Sequence, residues 1–186
     1  MKKKHVFVSL DGVDCAGKTT VAKLLAADGC FHYHKSPSGP FAQLRKDVDN
    51  HATPIERYCF YRLATEFDSQ QINLALANCS VICDRYIAST AAYHIAMDAR
   101  IRVIHNDAGL LKPDFSFLLG TRSEVRDRRI LERASALSDT KIECDSVLLD
   151  RVADIFMQFG LTYIDTSDIT PERAAKTIRQ TIDKGG

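Results

Sequence analysis

Five short apolar runs alternate along the chain with longer segments in which apolar residues recur at helical spacing. The runs cover residues 6–10, 31–34, 81–83, 115–119 and 162–164. Short runs of this kind favour buried strands, whereas the segments between them favour helices with one apolar face. Strands that alternate with helices form right-handed βαβ units. The pattern therefore predicts an α/β fold with a parallel sheet between layers of helices.

Two helix starts are marked by particular residues. The order Thr53-Pro54-Ile55-Glu56 is typical of a capping box with proline in the first turn, and it predicts a long helix towards Ala77. Thr170-Pro171 opens the last helix, in which one face is apolar: Ala174, Ala175, Ile178 and Ile182. Neither repeats nor a linker divide the sequence, so we expect one domain over residues 1–186.

Composition and charge narrow the possible partners. The formal net charge of +1 gives no argument for a nucleic-acid or membrane partner. An apolar run of roughly 18 residues, as a membrane span needs, is missing, and the apolar stretch after the basic start ends at Asp11. We therefore expect a cytoplasmic protein. The six cysteines contain no C-x-x-C pair and are interpreted as thiols rather than as zinc ligands or disulfides.

A glycine-bounded loop follows the first apolar run and precedes a helical segment. Residues 12–19 read G-V-D-C-A-G-K-T, which matches the phosphate-loop pattern G-x-x-x-x-G-K-[ST] in its required strand–loop–helix context. Backbone N–H groups and the helix N-terminus can bind phosphates, Lys18 can reach the β- and γ-phosphates, and Thr19 can ligate Mg²⁺. The predicted ATP-binding residues are Gly12, Val13, Asp14, Cys15, Ala16, Gly17, Lys18, Thr19 and Thr20.

A second group of polar residues ends the third apolar run. Asp84 is expected at the carboxyl end of a buried strand, where a carboxylate can hold Mg²⁺ with Thr19. Arg85 offers a planar donor fork to a second phosphate. The alternative is an Asp–Arg surface pair of little energetic value. The N-K-x-D and D-x-x-G motifs of GTPase switches are missing, which argues against a GTPase switch, whereas kinases, ATPase motors and transporters share the phosphate loop.

Several of these motifs closely resemble those of the thymidylate kinases. The resemblance rests on residues 12–20 and on D-R-Y-I-A-S-T-A-A-Y at 84–93. Residues 35–39, K-S-P-S-G, look like a weakened R-E-P-G-G loop, and Pro113-Asp114 is similar to the start of the family's fourth strand. Arg129 and Arg133 match two arginines of the family's lid, and Asp139, Ile142 and Glu143 are similar to the end of that lid.

The resemblance implies a three-layer P-loop kinase fold with a five-stranded parallel sheet and a short arginine-rich lid at about 122–143. It also implies a homodimer that uses ATP with Mg²⁺ as phosphoryl donor. The acceptor would be a nucleoside monophosphate, with dTMP expected and dTDP as product.

The resemblance also assigns roles to individual residues. Arg85 would hold the acceptor phosphate, Phe60 would stack on the base, and Tyr93 would pack under the deoxyribose. The implied acceptor site comprises Asp14, Lys35, Phe60, Arg85, Thr90 and Tyr93. The implied catalytic residues are Lys18, Asp14, Arg85, Arg129 and Arg133. Residues 165–167 would lie near the donor adenine.

The arginine-rich segment at 122–133 allows two interpretations. It could be a solvated face with i,i+4 ion pairs, or a lid that brings an arginine to the phosphates. The family carries arginine or glycine where this chain has Cys15, a thiol without positive charge. We therefore expect the cation to come from Arg126, Arg129 or Arg133.

The expected acceptor site departs from the family pattern. Ala64 stands where the family has a base-reading arginine, Lys35 replaces an arginine, and residues 94–98 replace a stretch with glycine and arginine. Two alternatives to a dTMP kinase therefore stay open. One is a kinase of the same fold for a nucleoside, a modified nucleotide or another small metabolite, and the other is a nucleotide-binding protein with little catalysis.

Overall fold

The computed structural model describes residues 5–134 and 145–185. Its centre is one sheet of five parallel strands, in the order β2-β3-β1-β4-β5. The strands are β1 Phe7–Asp11, β2 Phe31–Lys35, β3 Ser80–Asp84, β4 Phe115–Gly120 and β5 Thr162–Asp165. All five apolar runs are therefore strands, and the predicted five-stranded parallel sheet is confirmed.

The segments between the strands are helical, as predicted. The helices are α1 Lys18–Ala26, α2 Gly39–His51, α3 Pro54–Ala75, α4 Ile87–Met97, α5 Ile101–Ile104, α6 Ser123–Ala134, α7 Ser146–Phe156 and α8 Pro171–Gly185, with a 3-10 turn at Met157–Phe159. The predicted capping box of α3 forms, since the Thr53 hydroxyl accepts from the Glu56 N–H and the Glu56 carboxylate accepts from the Thr53 N–H.

Both faces of the sheet are covered because successive strand residues point to opposite sides. Val8, Leu10 and Ile82 belong to a large apolar cluster with residues of α1, α4, α7 and α8. Phe7 and Val81 belong to a second cluster, which includes Ile72 of α3. This burial on both faces is typical of parallel sheets and explains the near-continuous apolar character of the runs.

The register of the central strands places the predicted site residues side by side. Leu10 of β1 pairs with Asp84 of β3, and Asp84 in turn pairs with Lys35 of β2. The phosphate loop leaves β1 at the same edge. Ligands of parallel α/β sheets bind outside this carboxyl edge.

The predicted lid is described in part. Helix α6 confirms a helix at the arginine-rich segment. The Arg133 side chain lies outside the described residues, as do Asp139, Ile142 and Glu143. A lid over 122–143 and a single domain over 1–186 stay predictions. Within the described ranges, the helices are too short or too polar to cross a membrane.

Candidate functional site

Two adjoining cavities open at the carboxyl edge of the sheet. The larger has a volume of about 630 Å³ and is lined by the phosphate loop together with the residues that follow β5. The smaller, of about 70 Å³, lies between α2, α3 and α4. Asp14, Arg45 and Arg85 line both cavities, so these three side chains mark the border between them.

The phosphate loop has the backbone shape that its glycines predict. Gly17 has φ 89° and Gly12 has φ 144°, values that side-chain-bearing residues rarely adopt. Cys15 also has positive φ, 59°, which is a conformation that favours glycine. Sparsely populated backbone conformations cluster at functional sites, and here they aim the loop at the larger cavity.

Lys18 is buried at the start of α1. Its Nζ donates to the Val13 carbonyl at 2.6 Å, a hydrogen bond inside the loop. Burial lowers the pKa of Lys18, and the positive charge of Arg85 lowers it further, to about 8, although Asp14 and Asp84 oppose the shift. The ammonium is thus buried beside a second cation, where a polyanionic phosphate would stabilise its charged form.

Most of the predicted ATP-binding residues line the larger cavity, namely Asp14, Cys15, Ala16, Gly17, Lys18, Thr19 and Thr20. Gly12 and Val13 do not line it. Both contribute through their carbonyl groups, because Gly12 O accepts from Arg85 at 3.4 Å and Val13 O accepts from Lys18. The Val13 side chain belongs to the core, so Val13 would contact a phosphate through its backbone, and its assignment stays a prediction.

The far wall of the larger cavity comes from the chain after β5. Of the predicted segment 165–167, Thr166 lines the cavity, whereas Asp165 and Ser167 hydrogen-bond to each other. Several other residues of this wall were not predicted from the sequence: Ile169, Thr170, Pro171 and Ala174. Their apolar atoms form a surface that suits a nucleobase.

Among the α6 side chains that the structure describes, Arg129 is the arginine that reaches the phosphate loop. Its guanidinium donates to Cys15 O at 3.3 Å and to Thr166 O at 2.8 Å, and it lines the larger cavity. Arg126, by contrast, is buried and paired with Asp127 and Asp150. Arg126 thus ties α6 to α7, and its expected role as the cation beside Cys15 is wrong.

Thr19 and Asp84, the two predicted metal ligands, are adjacent. The Thr19 hydroxyl donates to Asp84 Oδ2 at 2.5 Å, and the buried Asp84 Oδ1 has no hydrogen-bond partner in the described part of the chain. A hydroxyl and a carboxylate with an unsatisfied oxygen fit a hard cation such as Mg²⁺. Across residues 5–134 and 145–185, no three His, Cys, Asp or Glu side chains could hold a metal, so nucleotide oxygens would have to complete the site.

Asp11 holds the segment that presents Arg85. Its buried carboxylate accepts hydrogen bonds from the Tyr86 and Ser89 N–H groups at 3.0 Å each, and from the Ser89 hydroxyl at 2.6 Å. Asp11 therefore caps the N-terminus of α4 from the end of β1. Arg85 precedes this cap with φ 72°, so its side chain turns back towards the phosphate loop. Asp11 was missed in the sequence because its partners lie more than 70 residues away.

The structure brings Asp14, Arg85 and Tyr93 together at the border of the cavities. One oxygen of Asp14 pairs with the Arg85 guanidinium, and the other accepts from the Tyr93 hydroxyl at 2.6 Å. Burial by itself would raise the pKa of Asp14, but Arg85, Lys18 and the Tyr93 hydrogen bond lower it to about 2. The Arg85 guanidinium also lies 5.2 Å from the centre of the Tyr93 ring.

Four of the six predicted acceptor residues line the smaller cavity: Asp14, Arg85, Thr90 and Tyr93. Phe60 does not. Its ring packs against Phe41, with ring centres 5.5 Å apart, and it is the next residue of α3, Tyr61, that lines the cavity. One residue turns a helix by 100°, so the assignment to Phe60 fails by a single position. Lys35 is exposed and lines the larger cavity instead.

Asp49 of α2 organises the other wall of the smaller cavity. Its carboxylate accepts from Tyr61 at 2.9 Å and from Arg45 at 3.2 Å, and its backbone carbonyl accepts from Arg57 at 2.6 Å. His94 and Met97 of α4 complete this wall. These residues were not predicted from the sequence, although Arg57 and Tyr61 are spaced as neighbours on one helix face.

The loss of the base-reading arginine is visible in the structure. Ala64 is buried and carries no polar group towards the smaller cavity. Arg62, the nearest arginine, turns away and donates to the carbonyls of Asn106 and Ala108 at 2.8 and 3.0 Å. It therefore anchors the loop after α5.

Solved structures share this fold. The thymidylate kinase of Candida albicans, described as having broad substrate specificity, superposes with a TM-score of 0.78 at 20% identity over 97% of this chain and 92% of that one. A thymidylate kinase of Ehrlichia chaffeensis superposes with a TM-score of 0.69 at 21% identity, over 97% and 100%. These likenesses confirm the fold.

Sequence comparison identifies the family. The family model for thymidylate kinase matches residues 10–168. A thymidylate kinase of Geotalea uraniireducens is 32% identical over 166 residues, which is 78% of each chain. A probable thymidylate kinase of Methanocaldococcus jannaschii is 24% identical over 94% of each. The match spans the phosphate loop, the Asp84-Arg85-Tyr86 segment and α6. The chain belongs to the thymidylate kinase family.

Proposed function

We propose that the protein transfers the γ-phosphoryl group of ATP to dTMP, giving ADP and dTDP. Family membership supports a phosphotransferase that acts on a nucleoside monophosphate. The observation that carries the proposal is the border between the two cavities, where Asp14, Arg45 and Arg85 line both. A γ-phosphate bound on one side and an acceptor phosphate on the other would meet there.

ATP would occupy the larger cavity. The phosphate loop surrounds its phosphates, Lys18 neutralises the β- and γ-phosphates, and the wall after β5 covers the adenine. Thr19 and Asp84 would hold Mg²⁺, which supplies further charge neutralisation when bound. Arg129 delivers the positive charge that Cys15 cannot supply, because its guanidinium lies against the carbonyl of that residue.

dTMP would occupy the smaller cavity. Its phosphate would draw the Arg85 guanidinium from Asp14, and Arg45 would contact the same phosphate from α2. Tyr93 packs against the sugar, and Tyr61 covers the base. Phosphoryl transfer needs little covalent assistance, so these residues act by positioning two anions and by neutralising the charge that moves between them.

The test is an ADP-release assay over a panel of nucleoside monophosphates and unphosphorylated acceptors, with ATP and Mg²⁺. We expect release with dTMP, and its loss on chelation of Mg²⁺. If none of the acceptors gives ADP release, the result would contradict the proposal and favour a nucleotide-binding protein with little catalysis. ADP release with unphosphorylated acceptors alone would favour the alternative of another acceptor.

In the same assay, Arg85→Ala tests whether Arg85, at the border of the two cavities, holds the acceptor phosphate. We expect turnover with dTMP to fall by about 10³-fold or more, because an acceptor-phosphate clamp is lost, while ATP affinity stays within a few-fold. Arg100→Ala is the matched control, since Arg100 is exposed and pairs with Asp98 in a surface turn. An equal collapse of ATP affinity in Arg85→Ala would show that Arg85 serves the donor instead.

Assembly and location remain predictions. The family resemblance supports a homodimer, which light scattering at assay concentration would test. A cytoplasmic location and the absence of nucleic-acid and membrane partners rest on charge and composition.

A further inference from the structure

His94 presents an unused hydrogen-bond acceptor at the smaller cavity. Its Nδ1 lies 2.6 Å from the Thr90 carbonyl, and because a carbonyl accepts only, Nδ1 must carry the hydrogen. The residue is 3% exposed, and burial lowers its pKa to about 4, with Arg57 adding to the shift, so the ring is neutral. Nε2 is then an acceptor. It has no hydrogen-bond partner among the described residues.

Arg57 presents an unused donor at the same cavity. Its terminal nitrogens donate to the Asp49 carbonyl at 2.6 Å and to the Met97 sulfur at 3.4 Å. Its Nε is buried and lies 3.8 Å from Asp49 Oδ1, an ion-pair distance that is too long for a hydrogen bond, and it lacks a hydrogen-bond partner within the described ranges. Both side chains line the smaller cavity, and the positive charge of Arg57 lowers the pKa of His94. Buried polar groups are nearly always satisfied, and two unsatisfied ones at a single cavity indicate a missing ligand.

We propose that His94 and Arg57 select the base of the acceptor nucleotide: His94 Nε2 accepts the N3–H of thymine or uracil, and Arg57 Nε donates to the C4 carbonyl oxygen beside it. The inference rests on the proposed function, since it takes the smaller cavity as the nucleotide site. It assigns base selection to residues other than position 64, where the family carries its arginine and this chain has Ala64.

The same pair would reject cytosine. Cytosine carries a lone pair at N3 and an amino group at C4, so an acceptor would face His94 Nε2 and a donor would face Arg57 Nε. Both contacts would be inverted. A site built to hydrogen-bond its substrate discriminates strongly against an analogue that leaves its polar groups unpaired. The predicted ligand class is therefore a nucleotide whose base has an imino N–H flanked by carbonyl groups.

Binding of dTMP, dUMP and dCMP by calorimetry without ATP tests the proposal separately from catalysis. Wild-type protein should bind dTMP and dUMP at least about 10–100-fold more tightly than dCMP. dUMP controls for the methyl group of thymine. Equal affinity for dUMP and dCMP in the wild-type protein would overturn the proposal and needs no variant.

His94→Met removes the acceptor and keeps an apolar side chain of similar length. It should lower dTMP and dUMP affinity by about 10–100-fold and bring their ratio to dCMP close to one. His94→Gln retains a carbonyl oxygen and should bind dTMP within a few-fold of wild type. Its amide can also rotate to donate to cytosine, so dCMP affinity should rise. The matched control is His32→Met, at an exposed position of β2.

The outcomes separate the two proposals. If His94→Met folds, as judged by circular dichroism, and keeps the wild-type dTMP to dCMP ratio, the assignment of His94 is wrong even when dTMP kinase activity is present. If the wild-type protein releases no ADP with dTMP, the proposed function fails. The affinities for dTMP and dUMP relative to dCMP still test whether His94 and Arg57 select the base. If His94→Met does not fold, His94→Gln decides, because an unchanged dCMP affinity there would contradict the proposal.

Discussion

The pKa of the buried Lys18 side chain depends on the charges around it. Its ammonium lies in the phosphate loop beside Arg85, and burial with that neighbouring charge lowers its pKa from 10.5 to about 8. Bound phosphates would supply the missing negative charge. The sequence places a lysine at this point of the loop, but the pKa depends on Arg85, which lies 67 residues further along the chain.

The lowered pKa of Lys18 predicts that ATP affinity weakens as pH rises through about 8. Above that value the free protein must take up a proton before it binds, so affinity should fall by up to about tenfold for each pH unit. Titration calorimetry from pH 7 to 9.5 would measure this. Lys18→Arg is the control, because a guanidinium stays charged and should give a flatter profile.

The lowered pKa of Lys18 makes the stability of the free protein change with pH in the opposite direction to ATP affinity. Between about pH 8 and 10.5 the unfolded chain keeps a proton that folded Lys18 has lost, so this group makes the free energy of unfolding rise with pH in that window. For the binding prediction, an ATP affinity that is constant from pH 7 to 9.5 would contradict the assigned environment of Lys18.

At the scale of elements, helix α4 depends on a side chain from another element. Asp11 at the end of β1 accepts two backbone N–H groups and a hydroxyl at the N-terminus of α4, which directly follows Arg85. The sequence predicts both the strand and the catalytic segment, yet it contains no local cap for α4. The cap is supplied through the sheet, since β1 and β3 are paired.

Asp11→Ala should therefore destabilise the protein and impair the acceptor side together. Loss of a charged cap with three buried donors should lower the free energy of unfolding by roughly 2–4 kcal/mol, measured by urea denaturation. Turnover with dTMP should fall further than ATP affinity, because Arg85 loses its support.

Asp11→Asn is the matched variant, since it keeps one oxygen as an acceptor. It should retain most of the stability. Equal losses in the alanine and asparagine variants would show that the charge of Asp11, rather than its hydrogen bonds, supports α4.

At the scale of the whole molecule, the two halves of the site meet because strands from distant parts of the chain lie side by side. Gly12 leads out of β1 and packs against β4, so closely that an added Cβ would lie 2.2 Å from the Leu119 carbonyl oxygen. The loop thus fits against a strand more than 100 residues away. The sequence around Gly12 gives no local signal that predicts this contact with Leu119.

Gly12→Ala should cost much more stability than an alanine at a glycine whose surroundings are open. Steric overlap with β4 and an unfavourable φ should together lower the free energy of unfolding by roughly 2–5 kcal/mol. Gly160→Ala is the control, since Gly160 has φ 66° and no atom within 4 Å of an added Cβ. It should cost about 1 kcal/mol. Similar costs in the two variants would contradict the close packing.

The sequence by itself determined the strands, the helices and the glycine-bounded loop that lines the larger cavity. Those features rest on local signals: apolar periodicity, the capping box at Thr53, and a loop whose glycines and lysine are adjacent in the chain. Arg129 was identified from its motif, and the structure places it against Cys15.

The tertiary structure decided which side chains line the smaller cavity. Phe60 and Tyr61 are neighbours in sequence, and the packing of α3 against α4 turns Tyr61 to the cavity. Asp49, Arg57 and His94 come from three different helices and form one wall there. Local patterns fix the backbone of each element, but the face that each element presents to a ligand depends on how distant elements pack.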